Sequence, residues 1–266
     1  MRARLAFCCL MAWAAAGHAA APSVFLEDMT WTELRDAQRA GKTTIIIPVG
    51  GTEQSGPHLT LGKHNVRVKL LAGRIAETLG NAVVAPVVAY VPEGNITPPS
   101  SHMRFTGTIS IPDATFKSLL DASARGFKQH GFTDVVLIGD HGGYQGLLKA
   151  VAIKLNQDWA ATKARAHFID AYYRVTQTAY VQSLQAKGLS EAQIGLHAGA
   201  ADTSLQWALD AGSVRPEQFA LAAREGLALG VAGDPRSASA ALGQAGLELI
   251  VSQTVAAIRL AVAPRH

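Results

Sequence analysis

The strongest constraint on the fold is a repeated alternation of short apolar runs with helical patterns. Four runs are mostly apolar and end at glycine, proline or a polar group: Thr43–Gly50, Ala82–Tyr90, Asp134–Asp140 and Ala164–Tyr172. Such runs are typical of strands buried on both faces of a parallel sheet. Helical periodicity covers Val66–Leu79, Asp113–His130, Gln145–Asp158 and Leu242–Val262. The alternation predicts a three-layer α/β fold, with a mostly parallel central sheet and helices on both faces.

Length and charge restrict the class of protein. The chain has 266 residues, of which 48% are hydrophobic, enough for one sizeable core. No low-complexity linker divides it, so we expect one domain over residues 21–266. The formal charge is +4, and Arg2 and Arg4 of a predicted leader supply two of those charges. A balance this small, without a basic stripe, argues against a polyanionic partner such as nucleic acid.

The N-terminal segment, residues 1–20, has the pattern of a signal peptide. Arg2 and Arg4 precede the apolar run Leu5–Ala16, which is followed by small residues at a cleavage position, Gly17, Ala19 and Ala21. The run is too short to span a bilayer, so no stable membrane anchor is expected. The alternative is a buried N-terminal helix. Export predicts a periplasmic or secreted protein without cysteine, since both cysteines lie in this segment.

Export gives a first testable expectation. The mature N-terminus should fall within Ala20–Pro22, because the small-residue cleavage positions end there. Intact-mass spectrometry of protein recovered from the periplasm of the native host measures this directly. A full-length cytoplasmic product that begins at Met1 would contradict it.

Histidines and a carboxylate follow two of the predicted strands. The first strand leads into a Gly/Pro-rich loop that carries Glu53, His58 and His64, and the third leads directly to His141. The carboxyl ends of parallel strands form the ligand crevice of such sheets. One carboxylate with several imidazoles suits zinc or a similar divalent ion. An ordinary loop or capping role for each histidine stays open at this point.

Two further clusters are candidates for substrate handling. His197 precedes Asp202 in a small-residue loop, and a histidine there suits proton transfer, although Asp202 equally suits a helix N-cap. The long loop between Asn95 and Asp113 carries His102 and Arg104 and is long enough to form a pocket rim. These two side chains are candidates for substrate contact, with plain solvent exposure as the alternative.

Five stretches, taken together, resemble the creatininase (creatinine amidohydrolase) family and occur in the family's order. They are IIIPVGGTEQSGPHLTLGKHN, SHMRFTGTISI, HGFTDVVLIGDHGG, LHAGAADTSL and GVAGDP. The resemblance extends over almost all of residues 24–262. It implies an α/β fold with a central parallel sheet, a homo-oligomer that is often a hexamer, and metal-dependent hydrolysis of C–N bonds in cyclic amides or formamides.

The family's site residues carry over only in part. By resemblance, Glu53 corresponds to the family glutamate, His141 to the histidine of its H-G-G segment and His197 to a candidate acid/base. Ser55 stands where the family has a histidine, and His64 where it has an aspartate that bridges two metals.

Further departures affect the second metal. Gly143 and Ala200 stand where some members supply another carboxylate, and Asp202 stands for a later family glutamate. An imidazole at position 64 presents one lone pair and does not readily bridge two cations. The resemblance, with these departures, therefore implies that one metal site is kept and the other is lost.

The single-metal interpretation implies a ligand set of Glu53, His64 and His141, with zinc preferred over manganese or iron. On this hypothesis the ion lowers the pKa of a bound water, and the resulting hydroxide attacks an amide-type carbonyl. His197 or Asp202 then passes the proton to the leaving nitrogen. The departures argue against creatinine itself as the substrate. The alternatives are a lactone or cyclic-ketone hydrolase and a metal-free periplasmic ligand-binding protein.

Overall fold

The computed structural model describes residues 23–263 of the chain. The predicted signal peptide, its cleavage site and both cysteines lie outside the described residues. Export therefore stays a prediction.

The centre of the described chain is a four-stranded, wholly parallel sheet in the order β2-β1-β3-β4. The strands are β1 (Thr44–Val49), β2 (Ala82–Val84), β3 (Asp134–Gly139) and β4 (Arg165–Phe168). β1 and β3 pair along their whole length, from Thr44 with Asp134 to Val49 with Gly139. The predicted parallel sheet is confirmed, and each strand lies within its predicted run.

Two strands are shorter than their runs. β2 ends at Val84, ahead of Pro86, which has no N–H to contribute to a sheet ladder. Beyond that proline, one isolated bridge joins Val49 to Val88. β4 ends at Phe168 because the chain turns into a helix from Ala171 onward.

Ten α-helices surround the sheet within residues 23–263. They are α1 (Trp31–Arg39), α2 (Lys63–Leu79), α3 (Asp113–Gln129), α4 (Gln145–Asp158), α5 (Ala171–Gln177), α6 (Ala179–Gln185), α7 (Glu191–Ile194), α8 (Ala200–Leu209), α9 (Phe219–Glu225) and α10 (Ala240–Val262). The four helices predicted from periodicity correspond to α2, α3, α4 and α10. Of the other six helices, α1 precedes β1, and α5 to α9 lie between β4 and α10, where the sequence pattern predicted no helix.

The sheet divides the hydrophobic core into two layers. Successive strand residues point to opposite faces. Ile46 and Val136 accordingly lie in a cluster with residues of α2, α5 and α10, whereas Ile45 and Val135 lie in a cluster with residues of α3 and α4. All six residues of β1 are buried. The predicted three-layer arrangement is therefore confirmed.

Helix α10 covers one layer by close packing. It is long and apolar enough to cross a membrane by length and composition, and one such helix is weak evidence for a membrane span. Here α10 packs against α8, α5 and α2. A Cβ at Gly243 would overlap the backbone carbonyl of Ser204 in α8, so glycine permits this approach. We interpret α10 as a core helix.

The carboxyl ends of β1 and β3 are held together by one buried tyrosine. The Tyr144 hydroxyl accepts hydrogen bonds from the backbone N–H groups of Asp140 and His141, both at 3.0 Å. It lies 2.8 Å from the carbonyl oxygen of Val49 and 2.6 Å from that of Gly50. The two strand ends that carry the predicted site are thus fixed relative to each other.

Candidate active site and metal centre

Glu53 is the centre of the site. It lies in the loop after β1, its side chain is fully buried, and its backbone N–H donates to the Leu61 carbonyl at 3.1 Å. Its two carboxylate oxygens, Oε1 and Oε2, contact different groups of side chains.

The Oε1 atom of Glu53 faces basic groups. His64 Nε2 lies 2.8 Å from it and Lys63 Nζ lies 3.5 Å from it. The other ring nitrogen of His64 lies 2.5 Å from Asp140 Oδ2, so this imidazole sits between two carboxylates. Burial alone would raise the pKa of Glu53, but His64 and Lys63 hold that pKa well below its usual range. Glu53 is therefore ionised although it is buried.

Behind His64, a buried arginine joins two more acids. Arg67 Nε donates to both oxygens of Asp140 at 3.0 and 2.8 Å, and its NH1 group donates to Asp202 Oδ1 at 3.0 Å. Lys63 donates to the other Asp202 oxygen at 3.1 Å. The Tyr172 hydroxyl donates to Asp140 at 2.9 Å. Buried charges need such partners, and here each acid meets a cation.

The Oε2 atom of Glu53 faces a different group of side chains. Its neighbours are His102 Nε2 at 3.3 Å and His141 Nε2 at 3.6 Å. On the far side of the imidazole, His141 Nδ1 lies 3.4 Å from Glu93 Oε2. One ligand atom from each of these four residues lies within 4.8 Å of the others. They form the cluster that we call the Oε2 cluster: Glu53, Glu93, His102 and His141.

The Oε2 cluster has the chemistry of a divalent-metal site. Glu53 Oε2, both oxygens of Glu93 and His141 Nδ1 are buried and have no hydrogen-bond partner among residues 23–263. Orphaned buried polar atoms are costly, and carboxylates with imidazoles are ligands of divalent transition metals. Gly51, at φ 150°, leaves room for this arrangement, because a Cβ there would lie 2.7 Å from Glu93 Oε1. The residues present therefore fit a metal ion.

Burial sets the charge of the ligands. It lowers the pKa of His141 to about 4, which leaves a neutral imidazole with a free lone pair. Burial, with the negative charge of Glu53 alongside, raises the pKa of Glu93 to about 9. Two carboxyl groups this close resist ionising together, and a cation between them would remove that conflict.

His197 lies at the edge of the same site. Its Nε2 lies 2.9 Å from the Gln54 backbone carbonyl and 3.2 Å from the Gln54 side-chain amide nitrogen. We assign the ring proton to Nε2, because the carbonyl contact is the shorter one and a carbonyl only accepts. The other nitrogen, Nδ1, then has a lone pair and lies 3.6 Å from Glu53 Oε1. Burial lowers the pKa of His197 to about 3, so the ring is neutral. Its lone pair can hold a proton only transiently, because burial disfavours the charged ring.

Two cavities meet at His197. The smaller has a volume of about 110 Å³ and is also lined by His64, Arg67, His141 and Asp202. The larger, about 500 Å³, is also lined by Gln54, His102, Arg104, Phe105 and Leu227. The two predicted substrate contacts, His102 and Arg104, thus line one cavity, carried by the short 3₁₀ turn Ser101–Arg104.

Comparison with known proteins agrees with this fold. The Creatininase family, described as creatinine amidohydrolase, matches residues 27–258. This chain belongs to the creatininase family.

Named members of the family are hydrolases. The mycofactocin precursor peptide peptidase of Mycolicibacterium smegmatis is 36% identical over 115 residues, which are 41% of this chain and 44% of that protein. The creatinine amidohydrolase of Pseudomonas putida is 27% identical over 192 residues, 70% of this chain and 72% of that protein. A solved structure of creatininase with Mn matches with a TM-score of 0.75 and 25% identity, over 91% of this chain and 100% of that one. The match with the first relative spans less than half of its length.

In this creatininase-family chain, the two histidines predicted as metal ligands lie on opposite sides of the Glu53 carboxylate. Glu53 and His141 belong to the Oε2 cluster, whereas His64 contacts the opposite oxygen and Asp140. His64 as a ligand stays a prediction. His58, from the same loop, is buried and contacts the Ala198 carbonyl at 2.9 Å.

Asp202 is placed at the third residue of α8, where the sequence suggested either an N-cap or a proton carrier. The N-cap position itself is Gly199. Both Asp202 oxygens are engaged, one by Arg67 and the other by Lys63 and the backbone N–H of Ala198. Burial alone would raise the pKa of Asp202, but Lys63 and Arg67 hold it well below its usual range.

Sequence reasoning missed four residues of the site: Lys63, Arg67, Glu93 and Asp140. Glu93 follows the second apolar run directly, in Val91-Pro92-Glu93. Inspecting the end of that strand in the same way as the first and third would have found it. Lys63 and Arg67 carry no such signal, because a lysine and an arginine in the first turns of a helix look like ordinary solvated residues.

Proposed function

We propose that this protein is a metal-dependent hydrolase that cleaves the C–N bond of a cyclic amide or related small molecule. The Oε2 cluster is the observation that supports this proposal. It places three buried carboxylate oxygens and one imidazole nitrogen, all unpartnered in the described chain, beside a cavity at the carboxyl ends of β1 and β3. Membership of a family with named hydrolases gives the reaction class.

The proposed metal ligands are Glu53, Glu93, His102 and His141. This set keeps two residues predicted from sequence and replaces His64 by Glu93 and His102. When bound, a divalent ion polarises the scissile carbonyl and acidifies a water molecule. We propose one ion per chain, and zinc ahead of manganese or iron, because two imidazoles with carboxylates suit it.

Other residues prepare the site for the reaction. We assign proton transfer to the leaving nitrogen to His197, which lines both cavities. Its unprotonated ring nitrogen would take the proton released by the attacking water and pass that proton to the leaving nitrogen. Lys63 and Arg67 hold Asp202 in its ionised form. We therefore propose that Asp202 positions these two side chains and does not transfer protons. His102, now proposed as a metal ligand, and Arg104 both line the larger cavity, which leaves Arg104 as the proposed substrate contact. Arg104 donates from Nε to the Ser101 carbonyl at 3.2 Å, which orients its guanidinium.

Metal titration of single-residue variants tests this ligand set. We expect wild-type protein, stripped and reconstituted, to bind one equivalent of zinc or manganese by calorimetry and elemental analysis. Glu93→Gln should weaken metal binding by more than ~10–100-fold. Losing a residue that only hydrogen-bonds to a ligand already has an effect of that size, and Glu93 is itself a proposed ligand. His64→Gln should keep one equivalent, because its ring nitrogens contact Glu53 Oε1 and Asp140. His130→Gln, at an exposed histidine, is the matched control.

The outcomes separate the alternatives. If His64→Gln loses the metal and Glu93→Gln binds it fully, the result would support the ligand set inferred from sequence, which includes His64. Two equivalents in wild type would contradict the single-metal proposal. No binding by wild type would favour a metal-free ligand-binding protein.

The proposal extends to location and assembly. We propose that the protein works in the periplasm or outside the cell, on the strength of its N-terminal pattern, and that it forms a homo-oligomer. Both points rest on sequence features and family resemblance alone. Analytical ultracentrifugation of the purified mature protein tests the second point.

A further inference from the structure

A fully buried lysine lies directly beside the proposed metal ligands. Lys63 is the first residue of α2, and its side chain has 0% exposure. Its Nζ lies 3.1 Å from Asp202 Oδ2 and 3.5 Å from Glu53 Oε1. A cation at a helix N-terminus is disfavoured by the helix dipole, so the helix itself gains nothing from this residue. The two carboxylates are what hold it.

The groups around the Lys63 ammonium are themselves metal-ligand types. Asp202 and Glu53 each direct one oxygen at it. His64 Nε2 and His197 Nδ1 also approach Glu53 Oε1, at 2.8 and 3.6 Å. Oxygens from two acids, with imidazole nitrogens close by, would suit a divalent cation if the ammonium were absent.

The charges of the buried site agree with this view. Within the described residues it contains the buried acids Glu53, Glu93 and Asp140, the partly buried Asp202, and two buried basic side chains, Lys63 and Arg67. Both cations lie on the side of Glu53 Oε1. Together with Lys63 and Arg67, one divalent ion at the Oε2 cluster would balance the charge of the four acids. A second divalent ion would leave an excess of two positive charges in the site, which is costly.

We propose that the Lys63 ammonium is a resident cation that fills a second cation site between Glu53 and Asp202. It restricts the protein to one metal ion and keeps the Oε1 atom of Glu53 for the protein's own charge network. The inference extends the proposed function, since it assumes that the first ion binds at the Oε2 cluster.

The test is calorimetric titration of metal-stripped wild type, Lys63→Met and Lys63→Arg with zinc and, separately, with manganese. We expect one, two and one equivalents respectively, because methionine removes the charge and arginine keeps it. The double variant Lys63→Met/Asp202→Asn lacks an acid of the second site and should return to one equivalent. Thermal unfolding adds a second readout: Lys63→Met should gain more in Tm from excess metal than wild type does.

Each outcome decides the inference. Two equivalents in Lys63→Met, or folding of that variant only when metal is present, supports it. One equivalent in both wild type and Lys63→Met overturns it and leaves the proposed function intact. No metal in wild type but one equivalent in Lys63→Met overturns the proposed function and supports the resident cation. A Lys63→Met protein that stays unfolded at every metal concentration, while the double variant folds, also overturns it.

Discussion

Replacement of Glu53 by glutamine is expected to abolish hydrolysis, with kcat/KM falling at least ~100-fold. The amide keeps the size of the side chain but removes the charge that faces Lys63 and His64 on one side and the metal ligands on the other. Bound metal should be lost in parallel. The measurement is turnover of a panel of cyclic amides, formamides and lactones by mass spectrometry, with elemental analysis of the same samples.

The control for this variant is Glu77→Gln, at an exposed glutamate on the far part of α2. It makes the same chemical change without touching the site and should leave turnover and metal content unchanged. A Glu53→Gln protein that retains both would show that Glu53 is not the shared carboxylate of the site.

Replacement of Arg67 by methionine should cause the largest loss of stability. Arg67 is buried and joins the buried Asp140 to the partly exposed Asp202, so its removal leaves both carboxylates without that partner. Breaking a buried ion pair by removing one member costs about 3–5 kcal/mol. We expect the midpoint of urea unfolding to fall accordingly, with the denaturant slope unchanged.

A double variant separates loss of charge balance from loss of packing. Arg67→Met/Asp202→Asn removes one of the stranded charges and should recover part of the stability. Arg236→Met breaks an exposed pair with Asp234 and should leave the midpoint unchanged. Equal losses in Arg67→Met and Arg236→Met would contradict a stabilising role for the buried network.

The two sides of Glu53 give the site its character. On one side, Lys63 and Arg67 form ion pairs with Glu53 and two aspartates. On the other side, buried carboxylate and imidazole atoms have no partner within the described chain. Around Glu53, the unpartnered carboxylate oxygens therefore lie on the side where we place the metal, next to the cavity that Arg104 lines.

The fold was predictable because it depends on patterns that are local in sequence. Apolar runs such as Thr43–Gly50 bury both faces, and helical periodicity between them leaves a parallel sheet as the consistent arrangement. β2 and β4 end before their apolar runs do, because Pro86 follows β2 and α5 follows β4. Apolar composition alone does not predict the effect of a missing N–H or of a change in backbone direction.

By itself, the sequence determined the layer order, the family and the strand ends that carry Glu53 and His141, because strand ends and loop motifs are contiguous in the chain. Only the tertiary structure decided which oxygen of Glu53 each partner faces. His64 is separated from Glu53 by 11 positions and from Asp140 by 76, and its place between them depends on how α2 packs on the sheet. From the sequence, Lys63 and Arg67 look like surface residues. In the fold they are buried, because α8 packs Asp202 against α2 and Asp202 pairs with both. Electrostatic partnership depends on distances in space, which a residue pattern along the chain does not contain.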